Sequence, residues 1–247
     1  MNIVVAMKQI PDLQQIRIRD RQPVLEGVQL TFGSIDKNAL EAAVQIKEKI
    51  DSQVIVVAVG NSELEETIKE ALAVGADEAR LVLCEEELDS SQSARLIAAA
   101  IKQIHAVDLI LLGEGSGDNY SSQVGSRVAE LLGLPQAGYV NRIEVDGELV
   151  RVTRSLEDCE QELEVRLPAV LTVTSAINTV RIPSVTQILK AGRKPKETMD
   201  ASDLGIPAVT IATLSNLAPE IKRRQIEVKS VAELARALSD EGFGGRV

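Results

Sequence analysis

The sequence predicts an α/β fold: a doubly wound parallel sheet, then an antiparallel hairpin region, then a C-terminal arm. Three observations carry this reading. Near-continuous Val/Ile/Leu runs of strand length recur through the first half of the chain, as strands covered on both faces require. Segments with apolar residues at helical spacing separate those runs, which is the alternation that parallel crossovers produce. From residue 139 onward the runs follow one another without intervening helices, so the pairing there is expected to become antiparallel.

The parallel part begins with a strand at Asn2 to Met7 (NIVVAM) and continues with strands at Val54 to Val59 (VIVVAV), Arg80 to Leu83 (RLVL) and Asp108 to Leu112 (DLILL). Between them, Ala39, Ala43, Ile46 and Ile50 define one helix, and Leu64, Ile68 and Leu72 define a second. That second helix is expected to start at a capping box of Ser62 and Glu65. A third helix carries Ala94, Ile97, Ile101 and Ile104, and a fourth carries Val124, Val128 and Leu131. The hairpin region comprises Tyr139 to Val145, a turn at Asp146-Gly147, Leu149 to Arg154, Gln161 to Leu167, and Ala169 to Thr174. Asp-Gly between alternating runs is a strong hairpin signal. Beyond Arg181, prolines at 183, 195, 207 and 219 break the chain too often for a core. Gly205 to Leu214 (GIPAVTIATL) and the helical pattern of Val231, Leu234 and Leu238 are nevertheless too apolar for a solvated tail. These residues read as an arm that buries its apolar side on another subunit.

Composition excludes several classes of function. The 247 residues suffice for a substantial core, and a net charge of −10 argues against nucleic acid as a partner. No apolar run approaches the roughly 20 residues that span a bilayer, and the apolar start before Lys8 is short for a signal peptide. Cys84 and Cys159 stand far apart without metal-ligand spacing, which suits a reducing cytoplasm. With His105 the sole histidine, no histidine-based catalytic centre or metal site is expected.

One motif carries chemistry. At Val107 to Val128 (VDLILLGEGSGDNYSSQVGSRV) a strand opens at Gly113 into a glycine- and serine-rich loop that feeds the fourth helix. Backbone N–H groups freed by such a loop and helix start bind phosphate, Gly113, Gly115 and Gly117 admit close approach to the main chain, and Ser116, Ser121 and Ser122 offer hydroxyls. The loop is neither a P-loop nor GxGxxG. It reads as a nucleotide site or as an ordinary strand-to-helix turn.

VAMKQIPD at Val5 to Asp12, GSIDKNALEAAVQIKEK at Gly33 to Lys49, EETIKEALAVGADEA through Ala79, GEGSGDNYSSQVG, LPAVLTV at Leu167 to Val173 and INTVRIPSVTQILKAGRKP at Ile177 to Pro195 occur in a distinctive order. Through them the chain resembles the beta subunit of electron transfer flavoproteins over essentially its whole length, most closely the branch associated with carnitine metabolism and nitrogen fixation. The resemblance implies an adenine-nucleotide-binding sheet similar to that of universal stress proteins. It also implies a heterodimer whose alpha subunit supplies most of a site for redox-active FAD, with AMP or a second FAD in the beta subunit's own site. Carried over by position, that site uses Ala6, then Gly33, Ser34, Ile35 and Asp36, then Val59. Its last part is the loop of Gly113, Glu114, Gly115, Ser116, Gly117, Asp118, Asn119, Tyr120, Ser121, Ser122, Gln123 and Val124. These positions fall at the carboxyl ends of parallel strands, where open α/β sheets bind ligands.

The loop departs from both family patterns: Asp118-Asn119-Tyr120 stands where AMP-binding relatives carry three acidic residues and electron-bifurcating relatives carry Asp-Gly-Asp-Thr. Gln123-Val124, PDLQ and DKNALE resemble the bifurcating kind. Residues 177–189 match the family's recognition loop, with Val185 at the anchor position and Ile188 and Leu189 beside it. That match implies docking onto an acyl-CoA dehydrogenase or a CoA-linked reductase. Lys190, Arg193, Lys194 and Lys196 follow as a basic patch that steers acidic partners or solvates a loop, and Lys222, Arg223 and Arg224 read as a solvated face or a subunit contact. The expected organisation is therefore a nucleotide-binding domain at 1–192 and an arm at 193–247 packing on the alpha subunit. The chain itself is expected to carry electrons rather than catalyse. Rival readings are a bifurcating subunit whose second FAD oxidises NADH, and a stand-alone adenine-nucleotide sensor.

Overall fold

The buried Val/Ile/Leu runs form the centre of one large sheet. In the computed structural model, which describes residues 1–207, 213–220 and 225–243, chain order is β1 (Asn2–Pro11), β2 (Arg17–Arg19), β3 (Gln22–Val24), β4 (Leu30–Phe32), α1 (Ser34–Lys47), β5 (Gln53–Gly60), α2 (Leu64–Val74) and β6 (Glu78–Leu83). Then come α3 (Ser90–Lys102), β7 (Val107–Gly113), α4 (Val124–Leu132), β8 (Gln136–Asp146), β9 (Leu149–Ser155), β10 (Glu160–Arg166), β11 (Ala169–Val173), α5 (Val185–Ala191), β12 (Lys196–Asp200) and α6 (Val231–Asp240). The spatial strand order is β10-β9-β8-β11-β7-β1-β5-β6-β12, with β4 antiparallel to the end of β1 and β2 paired only with β3. From β12 to β8 the neighbours are parallel, and β9 and β10 continue antiparallel.

Both faces of the central strands β1, β5, β7 and β11 are covered, which is why they carry no polar alternation, whereas β8 to β10 alternate. Along β1, Ile3, Val5 and Met7 join the core beneath α1 and α2, while Val4 and Ala6 join the core beneath α3 and α4. The sheet is therefore doubly wound, with the expected hairpins at one end, and Gly147 takes positive φ (62°) in the Asp-Gly turn.

Three local expectations are corrected. Ser62 and Glu65 form no capping box, because α2 starts with Glu63 at its cap without a side-chain bond. Asn61 takes over instead, its side-chain oxygen accepting from the Glu63 amide at 3.0 Å, while the Ser62 amide donates to Glu85 at 2.9 Å. Lys194 is not part of a solvated patch: its ammonium donates to the Leu72 and Ala76 carbonyls at 2.8 and 2.5 Å, satisfying the end of α2. Burial holds its pKa below the ordinary lysine value. The segment from 193 also begins within the sheet, since β12 runs parallel along β6 and Met199, Leu204 and Ile206 pack on the α3 face. The edge of β6 requires a partner, and a polar strand that hydrogen-bonds through its backbone supplies one.

Two units divide the chain: residues 1–17 with 24–215, and residues 18–23 with 216–247. The second contains α6, capped by the Ser230 hydroxyl accepting from the Glu233 amide, with Val231, Leu234 and Leu238 exposed along it. Part of GIPAVTIATL (208–212) and the cluster of Lys222, Arg223 and Arg224 lie outside the described residues.

Candidate functional site

The chain lays β5 and β6 on one side of β1 and β7 and β11 on the other, so the strand order reverses between β1 and β7. Ligands of open α/β sheets bind outside the carboxyl ends of strands at such a reversal. Here the gap is spanned by Asp36, in the first turn of α1. One carboxylate oxygen accepts the Lys8 amide of β1 at 2.8 Å and the other accepts the Gly113 amide of β7 at 3.1 Å. Gly113 is required for this approach: a Cβ there would lie 2.6 Å from Asp36 Oδ1. Burial pushes the Asp36 carboxyl up to about 6, against the pull of the two amides and the Lys8 ammonium; Asp118 adds a smaller upward push. Both oxygens being occupied by main chain, Asp36 is a staple across the site.

The glycine loop is tied down at several points. Glu114 donates its amide to Val173 at 2.9 Å, and Tyr120 donates its amide to the Ser116 carbonyl at 2.9 Å. Tyr120 and Ser122 both take positive φ, 44° and 53°, which costs a non-glycine residue strain and sharpens the turn into α4. The Tyr120 ring lies against Gly115, where a Cβ would come within 3.0 Å of it, and its hydroxyl donates to Glu114 at 2.8 Å. Asp118 accepts from the Lys8 ammonium at 2.5 Å. Burial works against its charge, yet the Lys8 ammonium and the Ser116 hydroxyl outweigh it and hold its pKa below the ordinary value. Lys8 thus meets Asp36 through its amide and Asp118 through its side chain. Sequence reasoning missed it; its one signal was a lysine at the end of an apolar strand.

The carried-over positions gather around this point. Ala6 is buried between Val57 and Leu112, and Val59 pairs with Lys8. The Gly33 amide donates to the Lys8 carbonyl at 3.2 Å, Ser34 is exposed and Ile35 half-buried. Gly117, Asn119, Ser121 and Ser122 are exposed at the loop's crest. The Gln123 side-chain oxygen accepts from Ser90 at 3.1 Å and Arg127 at 2.9 Å, which leaves its amide nitrogen as the donor to a ligand. At Val124, α4 begins without a side-chain cap. Gly125 brings that helix start hard against β11, since a Cβ there would lie 2.2 Å from Thr172 Cγ2.

These residues fit a phosphate. The uncapped start of α4 offers N–H groups and the positive end of the helix dipole, with two serine hydroxyls beside it. The nearby acids are engaged, Asp118 by Lys8 and Glu114 by Tyr120. No group of three or more metal-ligating side chains occurs among the described residues.

Of residues 177–189, matched above to a recognition loop, those from Val185 onward begin α5. Ser184 and Gln187 make a reciprocal capping box, and the helix turns Val185 (74% exposed), Ile188 (52%) and Leu189 (73%) outward while Ala191 is buried. Lys190, Arg193 and Lys196 remain exposed beside it.

Comparison with known proteins agrees with this geometry. The family model described as "Electron transfer flavoprotein domain" matches residues 24–204. The chain is 36% identical over 211 residues to "Electron transfer flavoprotein subunit beta" of Thermoanaerobacterium thermosaccharolyticum, covering 83% of this chain and 81% of that protein. It is 34% identical over 238 residues to the protein of the same description from Clostridium acetobutylicum (95% and 92%). It is also 36% identical over 211 residues to "Caffeyl-CoA reductase-Etf complex subunit CarD" of Acetobacterium woodii (83% and 80%). With the family match running from α1 through the glycine loop to α5, and with relatives aligned over more than four-fifths of its length, this chain belongs to the electron transfer flavoprotein family, among the beta subunits.

Proposed function

We propose that the chain pairs with an electron transfer flavoprotein alpha subunit, adds one face to a shared FAD site, and holds AMP at the reversal between β1 and β7. The observation that carries the nucleotide reading is the stapled glycine loop running into the uncapped start of α4. Main-chain N–H groups there, with Ser121, Ser122 and the Gln123 amide, would take the phosphate. FAD supplies the redox chemistry when bound, and the chain's own work is positioning. The unit that contains α6 would extend the interface, with the exposed apolar side of that helix seated on the alpha subunit.

Electrons would pass to or from an acyl-CoA dehydrogenase or a CoA-linked reductase docked on α5. The reductase alternative is supported by the Acetobacterium woodii relative, whose description places it in a caffeyl-CoA reductase complex. Gln123-Val124 favours a second reading, in which the site holds a second FAD that oxidises NADH and bifurcates the electron pair. Cys84 and Cys159 are unpaired and no described helix is long and apolar enough to cross a membrane, which suits a place in the cytoplasm.

Co-expression with the alpha subunit tests the pairing. A one-to-one complex with bound flavin is expected, and a chain that purifies alone and stays unassociated would contradict it.

A further inference from the structure

The segment leading into α5 leaves the core after Ile177 and crosses a space before α5 seats on α2. Beneath residues 180–183 lies a cavity of about 310 Å³ walled by Met7, Phe32, Leu40, Ala71 and Val74. Lys37 and Glu70 also line this space, so over 180–183 polar anchors add to the apolar seating that Ile177 and Ala191 give on either side. Arg181 forks onto Glu41 of α1, with Nε at 2.7 Å and Nη2 at 2.9 Å, and reaches Glu48 about two helical turns further on with Nη1 at 2.6 Å. The Glu41 side chain is only 3% exposed, so this pair is held out of solvent on one side. Next to it, Asn38 and Asn178 exchange amide bonds: Asn38 donates to the Asn178 carbonyl, and Asn178 donates to the Asn38 carbonyl, each at 3.0 Å.

At the other end of α5 the anchor is Lys194, which runs in to the Leu72 and Ala76 carbonyls at the end of α2. Buried Ala191 seats the last turn. Two cations thus tie the two flanks of a seven-residue helix to two different helices of the domain, and the residues between them turn Val185 and Leu189 to the outside.

We propose that Arg181 and Lys194 are positioning residues for partner docking: they mount α5 at both ends, so that its apolar face is presented as a fixed surface. Neither touches the partner. A bidentate guanidinium on a shielded carboxylate fixes direction as well as distance, and an ammonium shared by two helix-end carbonyls fixes the exit of the chain. An anchor on a fixed mount loses less conformational freedom on docking than one on a mobile loop, so the mount adds affinity without adding contacts.

This inference rests on the docking role of α5, and the experiment separates the two. The heterodimer is prepared as wild type, Arg181→Ala, Asn178→Ala, Lys194→Met and Val185→Asp. Hydrogen exchange is followed by mass spectrometry over 178–192, and electron transfer is measured with an acyl-CoA dehydrogenase purified from the same source. Loss of the mount should raise exchange in 178–192 by about tenfold or more while the central strands stay protected. It should raise KM for the dehydrogenase with kcat and cofactor content unchanged, a split that general destabilisation would not produce. Arg181→Ala and Lys194→Met with wild-type exchange would overturn the proposal. So would raised exchange with unchanged KM while Val185→Asp abolishes transfer. Wild-type transfer by Val185→Asp would remove the docking reading itself. Lys194→Met, at the other end of α5, keeps the test open should Arg181→Ala fail to assemble, and Asn178→Ala, which loses the donation to the Asn38 carbonyl but keeps both cations, should leave KM unchanged.

Discussion

Asp36→Asn probes the staple at the strand reversal, and its consequence is a change in pH dependence. The Asp36 carboxyl rises from 3.8 to about 6 on folding because burial disfavours its charge more than two amides and the Lys8 ammonium favour it. The native state therefore binds the proton more tightly. Between pH 4 and 6 the folded chain holds more protons than the unfolded one, so stability is highest below the unfolded pKa and falls as pH rises through the folded pKa. At about 1.4 kcal/mol per pH unit, the gap from 3.8 to about 6 amounts to about 3 kcal/mol, most of it between pH 4 and pH 7. The asparagine variant has no such titration. It also presents an NH2 group to one of two backbone donors, so its stability is offset from wild type at every pH. What the structure fixes is the slope. Urea unfolding of the heterodimer at matched concentration, from pH 4 to 7.5, should show wild type losing about 3 kcal/mol relative to Asp36→Asn, or about 1 M in midpoint. Taking the difference between the two proteins cancels the titrations that do not couple to Asp36. Parallel curves for wild type and variant would refute the argument that the carboxylate is ionised against a burial cost.

Three further perturbations follow from the same geometry. Gly125→Ala drives a methyl into Thr172 Cγ2, 2.2 Å from the new atom, and should cost about 1–3 kcal/mol and release AMP; adding Thr172→Ser removes the opposing methyl and should restore both, as thermal unfolding and nucleotide content will show. Gly117→Val meets the ends of two side chains, Leu13 at 2.9 Å and Ile10 at 3.3 Å, so the chain should fold with its FAD while losing AMP. Lys8→Met leaves the Lys8 amide on Asp36 but frees Asp118, and should weaken AMP binding in calorimetry without changing heterodimer assembly.

The central strands were legible because burial on both faces leaves uninterrupted apolar runs, and Asp146-Gly147 because a two-residue turn is chemically demanding. The candidate site was legible as a place, a loop rich in glycine at the carboxyl end of a parallel strand; that the strand order reverses there came from the structure. Its internal wiring was not. That Asp36 spends both oxygens on main chain depends on where α1 brings it relative to the ends of β1 and β7, 28 and 77 residues away in sequence. Lys194 read as solvated because its carbonyl partners lie 118 and 122 residues away. β12 reads KETMD, without the apolar pattern that marks a strand, because its place in the sheet comes from backbone pairing along β6. The capping box failed because the Ser62 amide that Glu65 would have accepted is bound by Glu85, 23 residues on, while Asn61 turns the chain by accepting the Glu63 amide.

The claim that the stapled loop holds a nucleotide is tested most directly by denaturing the purified heterodimer and quantifying the released FAD and AMP by chromatography. One FAD and one AMP per heterodimer is the predicted result. Two FAD without AMP would contradict the AMP assignment in favour of bifurcation, and one FAD with no second nucleotide would contradict the site itself.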